Sequence, residues 1–309
     1  MNNAKIKQLQ LNPAGRTICI SDIHGEITLF KTLLAKVGFC DADMLILLGD
    51  LYLKGTKPHE TLKYCMELGK KPNVHILKGN CDWGGDDYLN QQEVQWLADL
   101  PDIIDGGDFI FVHSGLFPGS LEEQPSATSA KYDNFMEAAP AFDKWIVTGH
   151  WPVAMYCHDF PRHSPIVDAD KRIITIDGGN VIKPDGQLNA FIIQNGSFSY
   201  EFVDNLPEIT AEKDQEGPEG SLSLTWLDRF VEITEDTEPL CRVRHLQTGR
   251  ILTVPKSRVW TDPQGRTCIC DLATDHHLTL KAGDTIKLVE AFPDRIFAKA
   301  RGVSGWIML

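Results

Sequence analysis

Between Arg16 and Phe117 apolar and polar positions come in blocks. A short, wholly apolar run ends in a polar turn, and a segment with apolar residues at helical spacing follows it. Thr17–Ile20, Met44–Leu48, Val74–Leu77 and Phe109–Val112 are the apolar runs. Leu29, Leu33, Leu34 and Val37 mark a helix that closes at Gly38, and Pro58 opens another that runs to Leu68 with Gly69 as its stop. Runs of this kind predict strands buried on both sides, with helices as crossovers. From Trp145 the pattern shifts to strands and turns: Trp145–Thr148, Arg172–Ile176 and Phe191–Ile193. Residues 118–142 read as helix and loop.

Residues 204–221 differ in composition. Asp204 to Gly220 holds six acids and one lysine among prolines and glycines, which predicts a linker. Beyond it the runs Trp226–Thr234, Cys241–His245, Arg250–Val254, Thr267–Asp271, Thr285–Val289 and Ile296–Leu309 predict short strands of a small barrel or sandwich. The organisation expected is therefore a domain over 1–203, an acidic linker over 204–221 and a small β-rich domain over 222–309. A length of 309 residues suits two domains.

Composition narrows the function. A net charge of -13 argues against a long nucleic acid as partner, because such binders present a basic face. It does not exclude an anionic substrate, since bound divalent ions would be the largest local positive charges. The segment Met1–Leu11 lacks the apolar core of a signal peptide, and no stretch is apolar enough to span a membrane. The eight cysteines are scattered without a CxxC pair, which suits reduced, buried thiols. A cytoplasmic protein without membrane attachment is the expectation.

The chemistry sits at the ends of the apolar runs. Asp22 and His24, Asp50, Asn80, His113 and His150 each lie just beyond a predicted strand, mostly beside a glycine. Loops at strand ends are where ligands gather in α/β sheets. Taken singly, an aspartate before glycine is a turn residue and a histidine after a strand a hydrogen-bonded structural one; six in one context argue for a shared purpose. The residue types suit two divalent ions sharing one carboxylate. Asp22, His24 and Asp50 would hold the first, and Asp50, Asn80, His113 and His150 the second. Imidazole and oxygen donors without thiolate favour manganese, iron or zinc.

Asp22-Ile23-His24-Gly25, Gly49-Asp50-Leu51-Tyr52-Leu53-Lys54-Gly55, Gly79-Asn80-Cys81-Asp82, Val112-His113-Ser114-Gly115 and Gly149-His150-Trp151-Pro152 stand in the order of the calcineurin-like metallophosphoesterase motifs. Over residues 16–203 the chain resembles the branch of bacterial serine/threonine protein phosphatases and symmetrical diadenosine tetraphosphatases. Ile176-Asp177-Gly178-Gly179 and Gly186-Gln187-Leu188-Asn189-Ala190 look like that branch too. The C-terminal stretch Arg301–Ile307 looks like the last strands of bacterial SH3-like domains. The resemblance implies a four-layer αββα sandwich, an α/β (α+β) fold, followed by a small all-β, SH3-like barrel. It also implies a phosphoester hydrolase that uses a metal-bound hydroxide. The residues matching the family's catalytic positions are Asp50, Asn80, Cys81 and Asp82; those expected at the substrate are Lys54, Asn80 and His113.

Two positions depart from the family pattern. Cys81 stands where the protein phosphatases have histidine, and Leu53-Lys54 where they have Asp-Arg. A thiol is a poor general acid, and a lysine supplies charge without the guanidinium fork. Cys81 reads either as an inert buried thiol or as a catalytic one. Asp82 reads as an orienting group or a turn cap, and Lys54 as a phosphate contact or a loop lysine. Without a strong acid, the expected substrates carry good leaving groups: aryl phosphates, phosphoanhydrides or activated diesters rather than phosphoserine. The expected partners are a phosphorylated small molecule, a nucleotide or a phosphoprotein, with a peptide as a further partner of the C-terminal domain. A nucleotide or phosphodiester hydrolase and a catalytically weak binding module are the alternatives.

Overall fold

The computed structural model describes residues 3–12, 14–126 and 131–309. They form two compact units: Met1–Val153, Ser164–Ile182 and Gly186–Asp204 make the first, Ala154–His163, Lys183–Asp185 and Asn205–Leu309 the second.

The first unit begins with β1 (Ile6–Gln8), β2 (Thr17–Ile20), α1 (Ile27–Lys36), β3 (Met44–Leu47), α2 (Pro58–Leu68), β4 (Val74–Ile76) and α3 (Gln91–Asp99). It continues with β5 (Ile103–Asp105), β6 (Phe109–Val112), α4 (Phe135–Ala138), β7 (Trp145–Thr148), β8 (Ile166–Asp168), β9 (Ile173–Thr175), β10 (Leu188–Gln194) and β11 (Ser197–Val203). One sheet has the order β11-β10-β2-β3-β4, the other β1-β5-β6-β7-β9-β8. β2, β3 and β4 run parallel, as do β6, β7 and β9, so within each set the carboxyl ends lie on one side.

Alternation along the strands builds the layers. Cys19, Ile46, Phe111, Val147 and Ile174 meet in one cluster drawn from both sheets. Their neighbours Ile18, Ile20, Leu45 and Leu47 turn the other way, onto Phe30, Leu33 and Leu62 of α1 and α2. On the far side Ile110, Ile146 and Ile173 pack with Phe135 of α4. The result is helices, sheet, sheet and helix, a four-layer αββα sandwich. Each fully buried aliphatic side chain contributes about 1.5–3 kcal/mol, which makes the sandwich a stiff base for the loops it carries.

The second unit holds β12 (Glu208–Thr210), β13 (Val231–Glu235), β14 (Leu240–His245), β15 (Ile251–Pro255), β16 (Val259–Thr261), β17 (Thr267–Ile269), β18 (Thr285–Ala291), β19 (Arg295–Ala300) and β20 (Val303–Met308). They form sheets β12-β18-β19-β20, β13-β14-β15 and β16-β17. Among the described residues, no helix of the molecule is long and apolar enough to cross a membrane.

Several elements depart from the pattern reading. The segment expected as a linker carries β12, whose Ile209 pairs with Ile286 of β18, and Asp214 of the same segment binds Lys281. An edge strand is held by backbone hydrogen bonds and needs few apolar residues, so composition alone reads it as a connector. Ile296–Leu309 is two strands folded back at Arg301-Gly302. α3 lacks a long apolar stripe and is set instead by a capping box between Asn90 and Glu93.

Candidate metal centre

Every residue singled out as a ligand lies just past the carboxyl end of a strand. Asp22 and His24 follow β2, Asp50 follows β3, Asn80 follows β4, His113 follows β6 and His150 follows β7. The turns that aim them are strained: Asp22, His24, Asp50 and His150 all have positive φ, between 48° and 67°. Non-glycine residues rarely adopt that region, and where they do, a functional constraint is the usual reason. Two glycines make the close approach possible. A side chain at Gly79 would run into the backbone and carboxyl group of Asp50, and one at Gly149 into Ser21 and the Asp22 carboxylate.

Asp22, His24 and Asp50 are buried, and their ligand atoms lie within 4.8 Å of one another. His24 places Nε2 3.5 Å from Asp22 Oδ1 and 3.8 Å from Asp50 Oδ2. On the other side of Asp50, His113 Nε2 is 3.4 Å from Asp50 Oδ1 and 3.0 Å from Asn80 Oδ1. His150 joins through its backbone, whose N–H donates to Asp22 Oδ2 at 3.0 Å, and through its ring, 5.2 Å from that of His113. Asp22, His24, Asp50, Asn80 and His113 therefore gather around Asp50, with His150 beside His113; among the described residues, Asp22, His24 and Asp50 alone form a group of carboxylate and imidazole ligands at metal spacing.

The second nitrogen of each histidine is already committed. Nδ1 of His24 bonds the Leu53 carbonyl at 3.1 Å, Nδ1 of His113 the Leu48 carbonyl at 2.7 Å, and Nε2 of His150 the Asp133 carboxylate at 2.9 Å. Such partners fix tautomer and ring orientation, and they leave one nitrogen per ring for the site. Around His113 this has a sharp consequence. With Nδ1–H given to Leu48, a neutral ring faces Asn80 Oδ1 and Asp50 Oδ1 with a lone pair, so three acceptors converge with no donor among them. A proton or a metal ion placed there would satisfy all three, and the two nearby carboxylates favour a cation. Burial lowers the His113 pKa, and Asp50 and Asp22 outweigh it and raise the value. The donor set thus fits divalent ions.

Asp50 Oδ1 also accepts the Cys81 backbone N–H at 2.8 Å, which ties the loop after β4 to the central carboxylate. Burial raises the Asp50 and Asp22 carboxyls, but His113 for the first and His24 for the second pull them below the ordinary range.

The remaining candidates divide. Asp82 is fully buried and spends both oxygens on backbone, accepting Leu51 N–H and Gly79 N–H, each at 2.9 Å. It locks the loops of Asp50 and Asn80 together. Burial and then Asp50 push its pKa up to about 6. Cys81 is buried, its Sγ accepts from Asn80 Nδ2 at 3.3 Å, and burial followed by Asp50 pushes the thiol up to about 12. Lys54, at φ 83°, is exposed yet directed at the site: desolvation lowers its pKa, and Cys81 and Asp50 raise it past the ordinary value.

Three contributors carried no assigned role in the sequence reading. Asp133 orients His150, and Asn180 Nδ2 donates to the Ile23 carbonyl at 3.0 Å behind the Asp22–His24 turn. Asp177, fully buried, follows β9 as Asp50 follows β3, an aspartate beside a glycine just past a strand, visible in Ile176-Asp177-Gly178. In the second unit, His276 and His277 are half-buried, and His276 bonds Ser221. The eight cysteines are unbridged, with Cys40 exposed and Cys270 half-buried.

Comparison with known proteins agrees with this geometry. The model of the calcineurin-like phosphoesterase family matches residues 15–182. A symmetrical bis(5'-nucleosyl)-tetraphosphatase of Acidovorax sp. (strain JS42) is 27% identical over 145 residues, which cover 39% of this chain and 51% of that protein. One from Hamiltonella defensa subsp. Acyrthosiphon pisum (strain 5AT) is 31% identical over 122 residues, 32% of this chain and 44% of that protein. The chain spans about half the length of the curated relatives it matches. A crystal structure described as a candidate diadenosine tetraphosphatase superposes with a TM-score of 0.52 at 21% identity, covering 65% of this chain and 99% of that one, a likeness of fold.

Proposed function

The chain belongs to the calcineurin-like phosphoesterase family, and from that premise we propose that it is a divalent-metal-dependent phosphoester hydrolase. The observation that supports this reading is the meeting of Asp50, Asn80 and His113 oxygen and nitrogen acceptors in a buried crevice, an arrangement suited to a cation. Asp22, His24 and Asp50 would hold one ion, and Asp50, Asn80, His113 and His150 a second; nitrogen and oxygen donors suit manganese, iron or zinc. When bound, the ions supply Lewis-acid charge for the phosphoryl oxygens and a lowered pKa for water.

The chain's own residues do the rest. Asp82 and the Cys81 amide hold the two central loops in register, so Asp50 and Asn80 need no rearrangement on substrate arrival. Lys54 offers an ammonium to a phosphate oxygen as a point charge. Cys81, with its thiol pushed up to about 12, keeps its proton at neutral pH and gives none to a leaving group. A missing general acid forfeits about 10²–10⁴-fold, or roughly 3–5 kcal/mol of barrier. The substrates favoured are those whose leaving group departs as a stable anion: aryl phosphates and phosphoanhydrides.

A nucleotide substrate is the second reading. It is supported by the named activity of the curated relatives and by Trp83, 62% exposed beside Asp82 with its indole laid across Gly85, a face on which a base can stack. Manganese-loaded protein assayed on nitrophenyl phosphate, a dinucleoside polyphosphate and a phosphoserine peptide tests both readings. The first two should turn over at least tenfold faster than the third. Equal rates on all three would defeat the leaving-group argument, and bound metal without turnover on any would favour a binding role.

A further inference from the structure

Asp177 spends only half of its carboxylate. It is 1% exposed, and Oδ1 accepts the Gly179 N–H at 2.8 Å, closing the turn after β9. Oδ2 is buried with no hydrogen-bond partner. A turn of this kind needs one acceptor, which an asparagine would supply equally well. A second, unpaired polar oxygen at full burial is expensive, and its persistence calls for a partner.

The sheet says where that oxygen stands. β7 and β9 are parallel neighbours with Thr148 beside Thr175, and Ile176 N–H continues the ladder to the Thr148 carbonyl at 2.9 Å. The next residue, Asp177, accepts the Val153 N–H on its carbonyl at 2.8 Å, three residues past His150. Three residues beyond Asp177, Asn180 bonds the backbone of the Asp22–His24 turn. Asp177 therefore lies at the rim of the crevice, where burial, and then the like charges of Asp22 and Asp50, raise its pKa well above the ordinary carboxylate range, with Lys54 opposing them. Gathering three carboxylates there destabilises the cation-free protein; cations reverse the sign.

We propose that Asp177 is a positioning residue of the cation centre, its open oxygen accepting a hydrogen bond from water that the divalent ions carry. This rests on the metal-dependent reading above and adds to it a residue outside the six ligands. Such outer partners tune metal affinity about 10–100-fold. Asp177→Asn keeps the acceptor for Gly179 and turns an N–H toward the water.

The test is calorimetric titration of the full chain with Mn²⁺, paired with thermal unfolding in chelator. Wild type, Asp177→Asn and Asp177→Ser are compared. The expected result is Mn²⁺ binding at least tenfold weaker in both variants, together with an unfolding midpoint in chelator at or above that of wild type. A merely structural aspartate would give the opposite, a lower midpoint with affinity intact. Unchanged Mn²⁺ affinity overturns the proposal, and so does failure of both variants to fold without metal. Absence of Mn²⁺ binding by wild type would instead strike the metal-dependent reading itself.

Discussion

Both units bury histidines against acidic groups and carbonyls, and they treat them in opposite ways. In the β-rich unit His245 is saturated: Nδ1 meets Thr248 Oγ1 at 2.9 Å and Nε2 the Asp228 carbonyl at 2.7 Å. One hydroxyl, able to donate or accept, lets a neutral ring satisfy both nitrogens. In the αββα unit His24 and His113 give one nitrogen to a carbonyl and turn the other toward carboxylates that cannot donate. The first arrangement is complete as it stands; the second is complete only with added positive charge. Burial of a histidine is therefore uninformative, and the bookkeeping of its two nitrogens separates a strut from a ligand.

The largest effect expected breaks the comparison at its centre. Asp50→Ala should lower turnover of nitrophenyl phosphate by about 10³-fold or more, yet leave the unfolding midpoint in chelator unchanged or raised, because a buried carboxylate is removed. A midpoint falling with activity would make Asp50 a structural residue and the two units alike.

Next comes acid sensitivity of the β-rich unit. Asp185 is buried against His163 Nε2 at 2.8 Å; burial raises its pKa, but His163 and Lys299 hold it below the ordinary carboxylate range. A depressed native pKa stabilises the fold above the unfolded value near 4 and loses that contribution as pH falls through the native one. Asp185→Asn should cost about 3 kcal/mol at pH 7 and little near pH 2, read from denaturant unfolding at the two pH values. An equal cost at both would remove the ionised Asp185 carboxylate from the account.

Smaller again is the effect of restoring an acid. Cys81→His should speed hydrolysis of a phosphoserine peptide by about 10²-fold and of nitrophenyl phosphate far less. A uniform change would mean that Cys81 acts on the loop and not on leaving-group departure. The smallest effect returns to the saturated histidine: His245→Ala should destabilise by about 2 kcal/mol in chemical denaturation with turnover unchanged.

What the chain disclosed in advance follows the same division. The strands that carry ligands are short, mostly apolar and followed by turns that set an Asp or His beside or near a glycine, so β2, β6 and β7 and the helix Pro58–Leu68 were legible to the residue. Edge elements were not: β1, β8 and β12 are held through backbone pairing, which leaves little periodicity to read. The six candidate ligands could be found because each repeats one local context. Asp133 could not, because an exposed loop aspartate is ordinary until His150 is seen beside it. Asp177 repeats the context fully, and only its unpaired oxygen sets it apart. The loss of a usable acid at Cys81 was visible as residue type; how far burial suppresses the thiol required the fold.

The claim beneath all of this is that Asp50 joins two cation positions, and metal counting tests it most directly. Mn²⁺ bound per chain, measured by elemental analysis after equilibrium dialysis, should be two for wild type and none for Asp50→Asn. Two ions retained by Asp50→Asn, or none held by wild type, would contradict the account.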